Sequence, residues 1–284
     1  MSDARIAFIG GTGLYDIEGL QDARDVRVET PFGDPSDAIV VGRLGGTQVA
    51  FLPRHGRGHR HAPTGLPSRA NIYALKTLGV ERIVSVNAVG ALSSDLAPRD
   101  AVVPDQLIDR TRQRVSTFFD SGPVAYIGFA EPFCPEVSPL LADAAEPYVR
   151  VHRGGTIVVM EGPAFSTRAE SRMYREWGGT VVGMTVLPEA KLAREAEICY
   201  SSLSLVTDRD SWDEHEAVSV EVIIGHLEAN VAVAKKTLAE LVYNLPDGRG
   251  CECGSALSNA IITSPDLISA EDRARLGPII NKYL

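Results

Sequence analysis

The sequence predicts an α/β fold, a single domain with a central mixed, mostly parallel twisted sheet flanked by helices. Three observations carry this prediction. Short β-branched runs alternate with helix-period segments along the chain, the pattern of strands joined by crossover helices. The first apolar run is continuous and ends abruptly in glycines, as expected of a strand covered on both faces. No fixed-period repeat and no low-complexity linker divides the chain.

Arg5–Ile9 reads as a buried strand ending in Gly10-Gly11-Thr12-Gly13. Ala38–Val41 and Gln48–Leu52 read as a strand pair joined through Gly45-Gly46. Ser68–Leu78 has helical spacing with Ser68 as its cap. Arg82–Val86 is a strand followed by the small-residue run Asn87-Ala88-Val89-Gly90, and Ala101–Val103 is another. Residues 110–135 read as a loop. Ser138–Val149 is a helix with Ser138 as cap and Pro139 at its first position. Thr156–Met160, Arg168–Trp177, Thr180–Met184, Pro188–Glu197 and Ile198–Val206 then alternate strand and helix. Val218–Tyr243 is a long amphipathic helix. The polar, Gly-containing stretch 245–255 is expected to divide a main domain, residues 1–245, from a C-terminal arm, residues 246–284. That arm packs on the same domain or on a neighbouring subunit.

Composition narrows the function classes. The chain has 284 residues, 44% hydrophobic and 23% charged, a globular balance that argues against disorder. Its net charge of −9 disfavours nucleic acid and anionic membranes as partners, although a local basic pocket remains compatible with it. No apolar run reaches the length of a membrane span. The first apolar run is too short for a signal peptide, so a cytoplasmic location is the expectation. Four cysteines without a CxxC pair suggest neither a disulfide scaffold nor a zinc ribbon, and no metal is expected. Cys199 falls within a strand and reads as core. Cys251-Glu252-Cys253 reads as two exposed thiols in a mobile tail, or as a regulatory or stabilising disulfide.

In open α/β sheets the chemistry sits at the carboxyl ends of strands. The Gly10–Gly13 turn would let backbone N–H groups approach an anion, with the Thr12 hydroxyl as a further donor. It fails the dinucleotide pattern, because Asp16 stands at the third glycine position. After Gln48–Leu52 comes the densest basic cluster, with Arg54, His55, Arg57, His59, Arg60 and His61 within eight residues. Such a cluster can hold a phosphate dianion by charge-assisted hydrogen bonds; a solvated loop and a metal site are the other readings. Glu161, after the Thr156–Met160 strand, could grip a hydroxylated ligand, and Phe165 could stack on a planar ring. Ser166 or Thr167 could cap the next helix. Asp208 and Asp210, two residues apart at a strand end, suit one acid held protonated by its neighbour, or a salt-bridged loop around Arg209.

Taken together, IGGTGLYD, TPFGDPSDAIVVG, LPRHGRGH, DQLIDRT, AEPFC, EGPAFSTRAES, GMTVLPEA, AREAEICYSSLSLVTDRDSW and EHEAVSV resemble the methylthioadenosine phosphorylases. These form a branch of the trimeric purine nucleoside phosphorylases. The resemblance runs from the first strand to about residue 220, about three quarters of the chain. It implies the nucleoside phosphorylase fold and phosphate-dependent cleavage of the N-glycosidic bond of 5′-methylthioadenosine. The products would be adenine and 5-methylthioribose 1-phosphate. Inorganic phosphate is then a co-substrate, and no cofactor is required. Carried over by position, phosphate would lie among Thr12, Arg54, His55, Asn87, Ala88 and Thr185. Met184 would face the ribose, and Phe165 with Ser166 would line the base. Asp208 would protonate N7 of the leaving purine while Asp210 accepts from its 6-amino group, or the two roles exchange. His59 and Val220, with the apolar face around Val222 and Ile223, would receive the 5′-methylthio group.

A neighbouring subunit is implied to complete that pocket, making a homotrimer, or a dimer of trimers, the expected assembly. Three positions depart from the family pattern: Tyr126 in place of His, Ala164 in place of Arg, and Asn87 where some members have Thr. Some archaeal members carry a similar CxC motif beside disulfides. The alternative within the family is a phosphorylase for methylthioinosine or other 6-oxopurine nucleosides, against which the Asp pair argues. Outside it stand a dehydrogenase-like nucleotide-binding domain and a non-catalytic nucleoside-binding or metal-sensing protein.

Overall fold

The computed structural model describes residues 4–11, 14, 17–214 and 219–284. The first half of the chain supplies β1 (Ile6–Gly10), β2 (Gln21–Val26), β3 (Ile39–Leu44), β4 (Thr47–Pro53), α1 (Ser68–Thr77), β5 (Arg82–Ala91), β6 (Ala101–Val103), β7 (Gln106–Arg110) and α2 (Val137–Ala145). The second half supplies β8 (Val151–Arg153), β9 (Thr156–Met160), α3 (Arg168–Glu176), β10 (Gly179–Gly183), α4 (Val186–Glu195), β11 (Cys199–Asp208), α5 (Val220–Asn244) and α6 (Ala270–Ile280).

Among the described residues these eleven strands form one mixed sheet, ordered β2-β3-β4-β1-β5-β10-β9-β7. It forks at β5, which also pairs with β11, and β11 continues to β6 and β8. Six of the ten strand pairings are parallel, as the alternation of strands and helices predicts. The antiparallel exceptions include the β3–β4 hairpin, whose turn is Gly45-Gly46 with φ of 56° and 81°, the left-handed backbone such a turn needs.

The register explains why a site forms. β1 lies between β4 and β5 with Gly10 beside Pro53 and Ile9 beside Ser85. β5 and β11 pair in parallel from Cys199–Arg82 to Asp208–Gly90. The carboxyl ends of β1 and β4, the middle of β5 and the end of β11 therefore open on one side of the sheet. Ile6, Phe8, Phe51, Val84 and Leu203 pack one face, against Leu141 of α2 and Leu238 of α5. Ala7, Ile9, Leu52 and Ile83 pack the other, against Ile72 of α1 and Leu192 of α4. Each fully buried large apolar side chain contributes roughly 1.5–3 kcal/mol.

Several expectations shift. β5 runs on through Asn87–Ala91, because pairing with β11 and β10 holds the small residues extended. Ser68 is the first residue of α1 rather than its cap, which is Pro67. Ser138 likewise lies inside α2, its hydroxyl bonded to Ser201 instead of to the helix end. Thr167 is the cap of α3, in a reciprocal capping box with Glu170. β2, β7, β8 and α6 appear where no element is predicted. β2 is charged and exposed, and β8 has three residues, so neither carries a hydrophobic signature.

The C-terminal segment packs into the sheet's own core: Leu257, Ala260, Leu276, Ile279 and Ile280 are buried with Ile72 and Ala193. The stretch at 245–255 is tied down by Arg82, which donates to the Pro246 and Gly248 carbonyls. Arg249 donates to the Glu197 carbonyl at 3.0 Å. The exposed-thiol reading of Cys251 and Cys253 therefore fails: Cys253 is buried and Cys251 half-buried. Among the described residues no helix is long and apolar enough to cross a membrane.

Candidate active site

A cavity of ≈ 430 Å³ opens where these strand ends meet. Its floor is polar, built from Arg54, His55, Asn87 and Thr185, with Ala88 and Gly11 beside them. Asp208 and Asp210 stand at one end, Met184 and Phe165 on the wall, and Val220, Ile223 and Leu227 of α5 at the rim.

Arg54 follows β4 directly and is 2% exposed. A buried guanidinium needs a counter-ion, and Glu189 of α4 supplies it: Nε donates to Oε1 at 2.6 Å and Nη2 to Oε2 at 3.3 Å. Nη1 donates to the Val86 carbonyl at 2.9 Å, and Nη2 to Ser85 Oγ at 2.5 Å. Of the five guanidinium hydrogens, one on Nη1 is left for a ligand. Burial works against the Arg54 charge and Glu189 outweighs it, raising its pKa. Glu189 also accepts from Tyr200 Oη at 2.9 Å and Ser85 Oγ at 3.0 Å.

His55 Nδ1 lies 2.8 Å from the His61 carbonyl, so it carries the hydrogen and Nε2 keeps its lone pair. Burial and the adjacent Arg54 push its pKa down to about 4. The ring is then neutral at pH 7 and can accept from a protonated phosphate oxygen or a ribose hydroxyl. His59 stacks on it with centroids 4.2 Å apart. A histidine NMR titration is expected to place the His55 midpoint near 4; a midpoint at its ordinary 6.5 would overturn the neutral-acceptor role. The same shift has a stability consequence. Below pH 6.5 the unfolded ring takes up a proton that the buried ring refuses, so this contribution is lost as pH falls toward 4.

Asn87 is held rigidly. Its Nδ2 donates to the Ser85 carbonyl at 3.1 Å and to Ser202 Oγ at 2.9 Å, and its Oδ1 accepts from Thr185 Oγ1 at 2.7 Å. This links the middle of β5 to the residue preceding α4. The rest of the basic cluster turns away: Arg57 pairs with Asp25 and Asp37, and Arg60 with Asp37.

Asp208 ends β11. It accepts from Thr207 Oγ1 at 2.7 Å and from the Asp210 backbone N–H at 2.9 Å. Asp210 takes φ of 40°, a left-handed conformation that Asp tolerates, and its side chain returns to the cavity. Its Oδ2 is buried without a hydrogen-bond partner. Burial first, and then the charge of Asp208, push the Asp210 carboxyl up. Within the same loop Arg209 lies 3.6 Å from Asp213.

Gly90 is the neighbour that makes room. A Cβ there would stand 3.0 Å from Asp208 Oδ1 and 3.2 Å from Asp210 Cβ. Gly90→Ala is expected to displace the pair, with a stability cost of about 1–3 kcal/mol and a larger fractional loss of turnover. Full turnover in that variant would show that the placement of the pair is not critical.

Thr12 lies outside the described residues. Arg54, His55, His59, Asn87, Ala88, Phe165, Met184, Thr185, Asp208, Asp210 and Val220 all line the cavity. Ser166 does not: it is buried behind the wall, its hydroxyl 3.4 Å from Met160 Sδ and its carbonyl accepting from Ser211 at 2.6 Å. Glu161 is also displaced from its expected role. Its carboxylate receives Thr64 Oγ1 at 2.7 Å, Arg114 Nε at 3.2 Å and the Arg112 and Gln113 N–H groups. Burial opposes its charge, but these bonds hold its pKa down to about 2, so it clasps a loop.

The profile of the phosphorylase superfamily matches residues 5–243. An S-methyl-5'-thioadenosine phosphorylase of Thermosynechococcus vestitus is 54% identical over 99% of both chains. One from Geobacter sulfurreducens is 55% identical over 98% of this chain and 99% of its own. The chain belongs to the methylthioadenosine phosphorylase family. A crystal structure of a methylthioadenosine phosphorylase from an antarctic soil metagenomic library superposes with a TM-score of 0.95 at 48% identity, covering 98% of this chain and 99% of that one. The Schistosoma mansoni methylthioadenosine phosphorylase solved with adenine superposes at 0.80, with 35% identity over 86% of this chain and 93% of that one.

Within this phosphorylase fold, residues absent from the sequence expectations also shape the site. Glu189 neutralises Arg54 from beneath, and the only sequence hint is a carboxylate following Pro188. Asn230 of α5 is buried at the wall and donates to the Val206 carbonyl at 3.1 Å, fixing the helix over the cavity. No local pattern marks it, since one polar residue on a 25-residue helix is unremarkable in sequence.

Proposed function

We propose that this protein catalyses phosphorolysis of 5′-methylthioadenosine, releasing adenine and 5-methylthioribose 1-phosphate. A phosphate oxygen attacks the anomeric carbon as the bond to N9 breaks. The bonding electrons pass to the purine, which is protonated at N7. The observation that carries this reading is a buried carboxyl pair facing a polar anion floor across one cavity, within a family whose members bear this activity's name. Phosphate is read among Arg54, His55, Asn87, Ala88 and Thr185, with Thr12, which follows β1 in the sequence. Its negative charge stabilises the oxocarbenium-like transition state beside Met184.

Phe165 provides a face for the base. The Asp208–Asp210 pair holds one shared proton, delivered to N7, while the other carboxylate accepts from the 6-amino group. A 6-oxopurine presents O6, an acceptor, to the same position and leaves a carboxylate unpaired. This supports adenine over hypoxanthine.

The 5′ substituent is read against Val220, Ile223 and His59, an apolar setting that suits a methylthio group. Val220 is 62% and Leu227 41% exposed at the rim, which supports a neighbouring subunit closing the pocket in a homotrimer. Tyr126 is exposed and lies outside this chain's cavity, so the consequence of its departure from His falls on that subunit contact. The reaction needs no cofactor beyond the phosphate co-substrate. The acidic surface and the small cavity support small molecules, rather than nucleic acid or membrane, as partners, and a cytoplasmic setting for salvage of purine and methylthioribose.

The deciding experiment is adenine release from methylthioadenosine with and without inorganic phosphate, beside adenosine and inosine. Phosphate-dependent release favouring methylthioadenosine is expected. Faster cleavage of inosine would overturn the role of the Asp pair, and phosphate-independent release would overturn the anion floor.

A further inference from the structure

All four cysteines of the chain meet at one point, although they come from three distant segments. Cys134 lies in the loop before α2, Cys199 opens β11, and Cys251 and Cys253 lie in the segment beyond α5. Their sulfurs all fall within 4.8 Å of one another, with Cys134–Cys251 at 3.7 Å and Cys199–Cys251 at 3.4 Å. Cys134, Cys199 and Cys253 are buried, and Cys251 is half-buried.

We propose that Cys134, Cys199, Cys251 and Cys253 form a tetrathiolate site for a structural divalent metal of zinc type.

A tetrahedral zinc with bonds near 2.3 Å sets its sulfurs about 3.8 Å apart, the scale of the separations seen here. Four thiolates close the coordination shell, leaving no open position for a substrate. Binding is proton-coupled and involves no oxidation: four thiols and one Zn²⁺ give the dianionic complex and four protons. The surroundings favour that charge. The Val137 N–H points at Cys134 Sγ at 3.4 Å. Arg82, the register partner of Cys199 on β5, is a buried cation whose guanidinium grips the chain just before Cys251.

The site is remote from the chemistry. Cys199 is the first and Asp208 the last residue of β11, roughly 30 Å apart for nine strand steps. A metal there fastens the C-terminal segment to the start of a central strand. The sequence conceals it because no pair has CxxC spacing and folding supplies the grouping.

The test uses the full chain, expressed with zinc and purified under reductant. About one zinc per chain is expected by elemental analysis, falling about tenfold or more in Cys251→Ser/Cys253→Ser. Should that variant not fold, the unmodified reduced protein still decides the matter. Stripped and titrated with cobalt(II), it should develop thiolate-to-cobalt charge transfer and the intense visible bands of a tetrahedral site at one equivalent. Zinc should then displace the cobalt and raise the melting temperature. Reduced protein that takes up neither metal would overturn the proposal, as would zinc retained in the double serine variant. Four sulfurs found as two disulfides in protein never exposed to oxidant would overturn it equally.

Discussion

Asp208→Asn is expected to lower kcat for adenine release from methylthioadenosine by about 10²–10⁴-fold, the range for removing a general acid. The substitution is nearly isosteric. An amide oxygen can still accept from the Asp210 N–H, and the amide nitrogen can donate to the Thr207 hydroxyl, so the end of β11 should keep its shape. What disappears is the shared proton. With Asp208 uncharged, one cause of the raised Asp210 pKa is gone, and Asp210 ionises more readily. The leaving purine must then depart as an anion or find a proton from solvent. The loss should depend on the leaving group: a nucleoside already alkylated at N7 needs no proton there and should be cleaved nearly as well as by the parent enzyme. A uniform loss on both substrates, or no loss on either, would remove the pair from proton delivery. Asp210→Asn should show the same dependence, because the proton belongs to the pair.

The parts of this architecture legible in sequence are those with a local signature. β1 and β9 are continuous apolar runs, and both appear within a residue of their expected bounds. The Gly45-Gly46 turn announces its hairpin through the backbone it requires. Arg54 and the Asp pair were findable because charge directly after an apolar strand is conspicuous. Ser166 adjoins Phe165 in sequence, but in the turn before α3 its hydroxyl lies against Met160 Sδ. Glu189, Asn230 and the four-cysteine cluster were hidden because each depends on which distant segments the fold brings together. Parallel pairing of β5 with β11 brings Ser85 beside Ser202 and Arg82 beside Cys199, contacts between positions more than a hundred residues apart. Periodicity carries no information of that kind.

The Arg54–Glu189 pair makes the second large prediction, because one substitution should have two separable effects. Arg54→Ala removes the last free guanidinium hydrogen and the fixed positive charge from the cavity floor. Loss of a charge-assisted hydrogen bond should raise the phosphate KM about 10- to 100-fold, with less effect on the nucleoside KM. It also leaves Glu189, which is 2% exposed, without its counter-ion. Breaking a buried pair from one side costs about 3–5 kcal/mol, since the remaining charge is neither solvated nor neutralised. The bonds from Tyr200 and Ser85 soften that penalty but supply no charge. Arg54→Ala/Glu189→Gln removes the stranded charge as well and should recover much of the melting temperature while leaving the phosphate KM high. That combination separates the two roles: stability follows the pairing of the charges, whereas phosphate affinity follows the guanidinium alone. An unchanged phosphate KM in Arg54→Ala would move the anion site elsewhere. An unchanged melting temperature would show that the pairing of Arg54 with Glu189 contributes little to stability.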